Sequence, residues 1–129
     1  MNDDSALAGL GGPVGLRPGE KVPNQLRIVA SAESLGNLLS VHRPNTWLSK
    51  IQFRKGLAYV YEQGLVLCYR DGALLKLYRV GKMRIKNTND RVFLLAGPDG
   101  QSGCMPAQWT DGELLAKALS RWALAAPLQ

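Results

Sequence analysis

Few side chains in this sequence could act in catalysis, and none of them has a suitable neighbour. His42 is the only histidine, and the adjacent Val41 and Arg43 supply neither a nucleophile nor an acid for general acid–base catalysis. A histidine near the carboxyl end of a helix would instead interact favourably with the helix dipole when charged. The sequence therefore predicts a structural role for His42.

The two cysteines show no metal-binding or nucleophilic pattern. Cys68 lies in an apolar run and Cys104 in a Ser-Gly-Cys-Met segment, with no CxxC spacing. A structural zinc site needs about four Cys or His ligands, which the chain does not offer. No basic neighbour would lower the pKa of Cys104, and a Cys68–Cys104 disulfide would be unusual in the cytosol. We therefore predict no metal, no cofactor and no catalytic cysteine.

The carboxylates are scattered, and each has a structural explanation. Glu62 and Asp71 flank hairpin turns, while Asp111 and Glu113 stand at the start of a helix. The glycine-rich stretches lack the lysine and the strand-to-helix context of a phosphate-binding loop. The sequence thus predicts a protein that is not an enzyme.

Basic residues are the best candidates for a binding site. The segment 43–91 contains eleven basic and three acidic residues, so it carries +8 while the rest of the chain carries −2. Within 82–86 the basic residues alternate with Met83 and Ile85, so they project from one strand face at about 7 Å spacing. The candidate partner- or anion-binding residues are Lys82, Arg84, Lys86, Arg79, Lys50 and Arg54.

Two interpretations of these basic residues remain open. Like charges on one strand face repel each other unless water or a partner's anions surround them, and an outer face or edge guarded by charge against aggregation needs no partner. The other interpretation is a binding surface, with another protein as the expected partner. Nucleic acid or an anionic membrane surface is the alternative partner, although no recognised nucleic-acid motif is present.

Hydrophobic periodicity predicts a run of short strands followed by a helix. Alternating or β-branched segments are separated by turn residues such as Gln63-Gly64 and Asp71-Gly72. The predicted strands are 47–55, 57–62, 65–70, 73–80, 82–86, 92–96 and 101–105. Thr110 and Glu113 fit a capping box at the start of a carboxyl-terminal amphipathic helix.

The amino-terminal part has a different composition. Residues 1–24 contain five glycines and three prolines, which predicts a flexible leader before a single domain at 25–129. Segment 31–42 is predicted to be a short helix with Ser31 as its N-cap. The acidic amino end lacks the features of a secretory signal, and no apolar run approaches ~18 residues. We therefore expect a cytoplasmic location; the oligomeric state stays open.

About seven strands and a closing helix indicate a mainly β, α+β fold, an antiparallel meander or partly open barrel capped by the carboxyl-terminal helix. Segments 56–87 (GLAYVYEQGLVLCYRDGALLKLYRVGKMRIKN) and 91–100 (RVFLLAGPDG), followed by this helix, resemble bacterial pleckstrin-homology (PH)-like domains. More narrowly, 35–43 and 58–80 resemble an actinobacterial family of unknown function.

The resemblance implies a PH-like fold and a non-catalytic interaction module. Eukaryotic PH domains bind phosphoinositides through a lysine-rich first hairpin. Lys50, Arg54 and Lys55 lie near the corresponding place, but their spacing and the aromatic that follows do not match. Phosphoinositide binding is therefore not implied.

Overall fold

The computed structural model describes residues 13–45, 56–69, 75–87, 92–98 and 100–125. Within them the chain is mainly antiparallel β structure with a carboxyl-terminal helix, as predicted. In chain order the elements are α1 (Asn24–Ala32), β1 (Leu38–His42), β2 (Gly56–Tyr61), β3 (Gly64–Tyr69), β4 (Leu75–Arg79), β5 (Arg84–Asn87), β6 (Phe93–Gly97), β7 (Gly100–Cys104), a 3₁₀ helix (Pro106–Gln108) and α2 (Gly112–Ala125). The strand predicted at 47–55 lies outside the described residues.

The strands form two antiparallel sheets that follow chain order. The first sheet has the order β1-β2-β3-β4 and the second has the order β5-β6-β7. Tight connections such as Glu62-Gln63, between Tyr61 and its partner Gly64, fix the register of the hairpins. The six predicted strands from 57–62 onward correspond to β2 through β7 with small shifts at their ends.

Side chains from both faces of the first sheet lie in cores, although Leu39 of β1 is 39% exposed. All six residues of β2 are buried. Ala58, Val60 and Leu65 face a central core between the sheets. Tyr59 and Val66 point to the opposite face, into a second core that includes residues of α1. We call it the helix-side core. Continuous apolar sequence in β2 and β3 is the pattern expected of strands covered on both sides.

The central core is completed by the second sheet and α2. Phe93 and Leu95 of β6 point inward, and α2 contributes Leu115, Leu119 and Trp122 on one stripe. Spacings of three and four residues bring these helix positions to one face. Burying such side chains contributes roughly 1.5–3 kcal/mol each.

Residues 31–42 do not form the predicted helix. The helix α1 ends at Ala32, and β1 begins at Leu38 and pairs with β2. Between them Ser34 and Gly36 adopt positive φ angles of 54° and 82°, which a continuing helix does not permit. Pairing with β2 outweighs the local helical pattern, because the β-branched Val41 becomes fully buried in the helix-side core.

The described part of the predicted leader contacts the first sheet. Val14 forms a parallel bridge to Ser40, donating to Leu39 O and accepting from Val41 N. Leu16 and Val22 pack against the helix-side core. Residues 13–23 and α1 therefore cover the face of the first sheet that points away from α2.

The start of α2 differs from the predicted capping box. The helix begins at Gly112, and the backbone oxygen of Asp111 accepts from Leu114 N and Leu115 N. The Thr110 hydroxyl instead accepts the backbone N–H of Arg43. Asp111, not Thr110, therefore precedes the helix.

Candidate functional site

The exposed face of the second sheet carries two of the predicted basic residues, Arg84 and Lys86, and Lys82 lies just before it. Met83, Phe93, Leu95 and Cys104 turn into the central core, so the alternate positions point away from it. We call these positions the outer face; they are Arg84, Lys86, Leu94, Ala96, Gln101 and Gly103. All of them are exposed except the half-buried Ala96.

The register arranges the outer face in two rows across the sheet. In the first row Arg84 lies opposite Ala96, which lies opposite Gln101. In the second row Lys86 lies opposite Leu94, which lies opposite Gly103. Neighbouring rows are about 7 Å apart along the strands. Each row therefore begins with a cation and ends on β7 without a charge.

A shallow depression of about 640 Å³ lies at the first-row end of this face. Lys82 and Arg84 stand on one side of it and Gln101 on the other. Its floor includes Ala96 and Gly97, which leave room for an approaching group. Two cations and an amide beside small residues form a surface that accommodates an anionic group.

The second row contains an exposed apolar side chain beside a gap. Leu94 is 46% exposed, and its cross-strand neighbour Gly103 has no side chain. A Cβ atom at Gly103 would lie 4.0 Å from both Leu94 Cδ2 and Val92 Cγ1, an ordinary contact distance. We call this gap the Gly103 hollow. The sequence prediction missed Leu94, although alternation within VFLLA places its side chain on the other face of the strand from Phe93 and Leu95.

The six predicted site residues do not all come together. Lys82, Arg84 and Lys86 share the outer face or its end. Arg79 is held elsewhere, because its Nε donates to Glu33 O at 2.8 Å and its Nη1 to Val80 O at 3.0 Å. The bond to Glu33 O ties β4 to the end of α1. Lys50 and Arg54 lie outside the described residues.

His42 is fully buried and joins β1 to the segment before α2. Its Nδ1 lies 2.6 Å from the carbonyl oxygen of Thr110, so Nδ1 carries the proton. The Nε2 atom then accepts from the Ser40 hydroxyl at 2.8 Å. Burial lowers the pKa of His42, against the opposing effects of the Thr110 hydrogen bond and the Asp111 charge. The ring makes structural hydrogen bonds, but the predicted position at the carboxyl end of a helix is wrong, because His42 ends the strand β1 and its burial disfavours the charged form.

A partly buried ion pair links the amino-terminal segment to the end of β1. Arg43 donates from Nη2 to the Glu20 carboxylate and from Nη1 to Gly15 O at 2.6 Å. Burial alone would raise the pKa of Glu20, but hydrogen bonds from Arg43 and from Arg17 N outweigh it and lower that pKa. This pair is structural, since it closes residues 15–20 over β1.

The cysteines are buried in different cores. Cys68 belongs to the helix-side core and Cys104 to the central core, so the first sheet separates them and no disulfide joins them. Burial raises the pKa of the Cys104 thiol to about 12. The thiolate needed for nucleophilic attack is therefore scarce at neutral pH.

A second cleft, of about 620 Å³, lies between the second sheet and α2. Its floor includes Phe93 and Trp109, and its rim carries Asp111 and Glu113. Carboxylates at this place stabilise the positive end of the helix dipole, which accounts for them without a ligand. Among the described residues, no group of three or more His, Cys, Asp or Glu side chains could hold a metal ion.

No helix in the described part of the chain combines the length and apolar character needed to cross a bilayer. In comparisons with known proteins, no protein-family model, no curated protein and no solved structure matches this chain. The outer face of the second sheet, defined by its geometry, is therefore the candidate functional site.

Proposed function

We propose that this chain is a non-catalytic interaction module that binds an acidic segment of another protein on the outer face. The observation that carries the proposal is the difference between the two sheets. Side chains from both faces of the first sheet lie in cores, whereas the outer face of the second sheet is exposed and carries Arg84 and Lys86 beside Leu94.

An exposed apolar side chain beside the cations favours a protein partner over nucleic acid. Leu94, which lies opposite Lys86, is 46% exposed. Protein interfaces combine apolar contacts at their centre with charged residues at the rim. A nucleic acid would be bound chiefly through its phosphate charges and would gain little from Leu94.

The fold supports the same proposal by analogy. A four-stranded and a three-stranded antiparallel sheet in chain order, followed by a closing helix, is the layout of a PH-like domain, and we propose a PH-like, partly open barrel for this chain. One scaffold can host many unrelated activities, so the fold alone names no partner. We further propose a cytoplasmic location, since two cysteine thiols are compatible with a reducing compartment.

The test compares two triple charge reversals that change the net charge equally. One variant carries Lys82→Glu, Arg84→Glu and Lys86→Glu on or beside the outer face. The matched control carries Lys21→Glu, Lys117→Glu and Arg121→Glu, at positions that are likewise exposed. Wild type and both variants serve as bait for proteins of the native host, and calorimetry measures the affinity of each purified partner.

We expect the outer-face variant to lose about tenfold or more in affinity and the control variant less than about twofold. Binding of DNA, RNA or acidic vesicles at low salt that the outer-face variant loses, with no protein partner weakened more by that variant than by the control, would identify a polyanion-binding protein instead. Unchanged affinity in the outer-face variant would show that this surface is not the interface.

A further inference from the structure

The two rows of the outer face differ in what they can bind. In the first row, Arg84 and the adjacent Lys82 border the depression over Ala96. In the second row, Leu94 borders the Gly103 hollow. The first row therefore suits a carboxylate, and the second row suits a large apolar side chain.

The spacing of these two positions matches an extended chain. Ala96 and Leu94 are two residues apart on β6, which separates them by about 7 Å. Side chains at i and i+2 of an extended partner are the same distance apart and on the same side.

We infer that the outer face recognises an extended segment in which an acidic and a large apolar side chain are two residues apart. The acidic side chain lies in the depression beside Lys82 and Arg84, and the apolar side chain fills the Gly103 hollow against Leu94. This inference rests on the proposed function and adds the sequence pattern of the partner.

Four capped synthetic peptides test this pattern. TETLTETLT presents Glu and Leu on one side in both chain directions. TELTTTELT has the same composition but no Glu–Leu pair two residues apart. TETSTETST lacks the apolar side chains, and TKTLTKTLT reverses the charge. Binding is followed by amide chemical shifts of the full-length protein and by fluorescence anisotropy.

We expect TETLTETLT to bind most tightly, with shifts centred on residues 84, 94, 96, 101 and 103 and not on α1. Loss of the leucines should weaken binding about tenfold. TKTLTKTLT should not bind, because its lysines are repelled by the cations of the outer face. Added salt should lower the affinity for TETLTETLT. Equal binding of TELTTTELT, whose Leu and Glu four residues apart suit a helix, would overturn the inference.

A variant pair in the chain itself tests the Gly103 hollow. Gly103 has no positive φ angle, and a Cβ there makes only ordinary contacts, so Gly103→Ala should keep the affinity within about twofold. Gly103→Gln places a long side chain in the hollow. It should lower the affinity for TETLTETLT about tenfold, to the affinity that wild type has for TETSTETST. The same variant should bind TETSTETST as wild type does.

Failure of this inference is distinguishable from failure of the proposed function. If Gly103→Gln binds TETLTETLT as tightly as wild type does, or if no peptide binds, the inferred pattern is wrong. The proposed function is judged separately, by whether the Lys82, Arg84 and Lys86 reversals weaken a captured protein partner more than the control reversals do.

Discussion

His42 shows how a single buried side chain connects distant parts of the chain. Its neutral ring donates to Thr110 O and accepts from Ser40, joining β1 to the segment before α2. A neutral ring is favoured because a charge at a fully buried position would lose its hydration. The single histidine therefore holds two parts of the chain together, and its protonation couples the stability of the fold to pH.

Replacing His42 with asparagine should change the pH dependence of stability. Because the folded-state pKa lies below 6.5, the unfolded chain binds a proton that the folded chain does not when the pH falls below 6.5. The free energy of unfolding of wild type should therefore decrease through this window. The asparagine side chain does not titrate, so the stability advantage of wild type should shrink between pH 7.5 and pH 5.

Urea denaturation of both proteins at the two pH values measures this effect. At pH 7.5 we expect His42→Asn to cost about 1–3 kcal/mol, since the Ser40 hydroxyl loses its buried acceptor. Comparing the two proteins cancels the titration of the carboxylates common to both. A stability difference that is constant or larger at pH 5 would contradict the expectation.

At the scale of elements, the amino-terminal segment depends on a glycine. Gly15 has φ +86°, and a Cβ atom there would lie 2.1 Å from Val41 O. The bridge between Val14 and Ser40 brings the two backbones this close. Composition alone suggested a leader without contacts in this region, because the bridge and the Arg43–Glu20 pair involve partners far away in sequence.

Gly15→Ala should destabilise the docked segment more than Gly19→Ala. Both glycines have positive φ, but a Cβ at Gly19 meets nothing within 4 Å. We expect Gly19→Ala to cost about 1–2 kcal/mol through the backbone conformation alone. Gly15→Ala adds a backbone clash and should release residues 13–23, seen as faster amide exchange at Val14 and Val41. Equal exchange in both variants would be inconsistent with the close approach.

At the scale of the whole molecule, one sheet separates two cores. The central core and the helix-side core occupy opposite faces of β1–β4. Losing either core exposes strands that also belong to the other core. The two should therefore unfold together in one transition.

Leu26→Ala and Leu119→Ala test this coupling, because both leucines are fully buried, one in each core. Each substitution should cost about 2–5 kcal/mol. Ile28→Ala, at a side chain that is 60% exposed on α1, is the control and should cost under about 0.5 kcal/mol. Within each variant, tryptophan fluorescence and far-UV circular dichroism should give the same denaturation midpoint as each other. A separate early transition in Leu26→Ala would show that the helix-side core melts alone.

The sequence by itself determined the strands from β2 to β7, the carboxyl-terminal helix and the exposed cations at 82, 84 and 86. These features follow from alternation and turn residues, which act between near neighbours. Tertiary structure alone decided that 38–42 is a strand, that residues 13–23 cover the first sheet, and that Arg79 binds Glu33 O. It also placed Leu94 and Gly103 beside the cations, because only the pairing of β5, β6 and β7 brings these positions together.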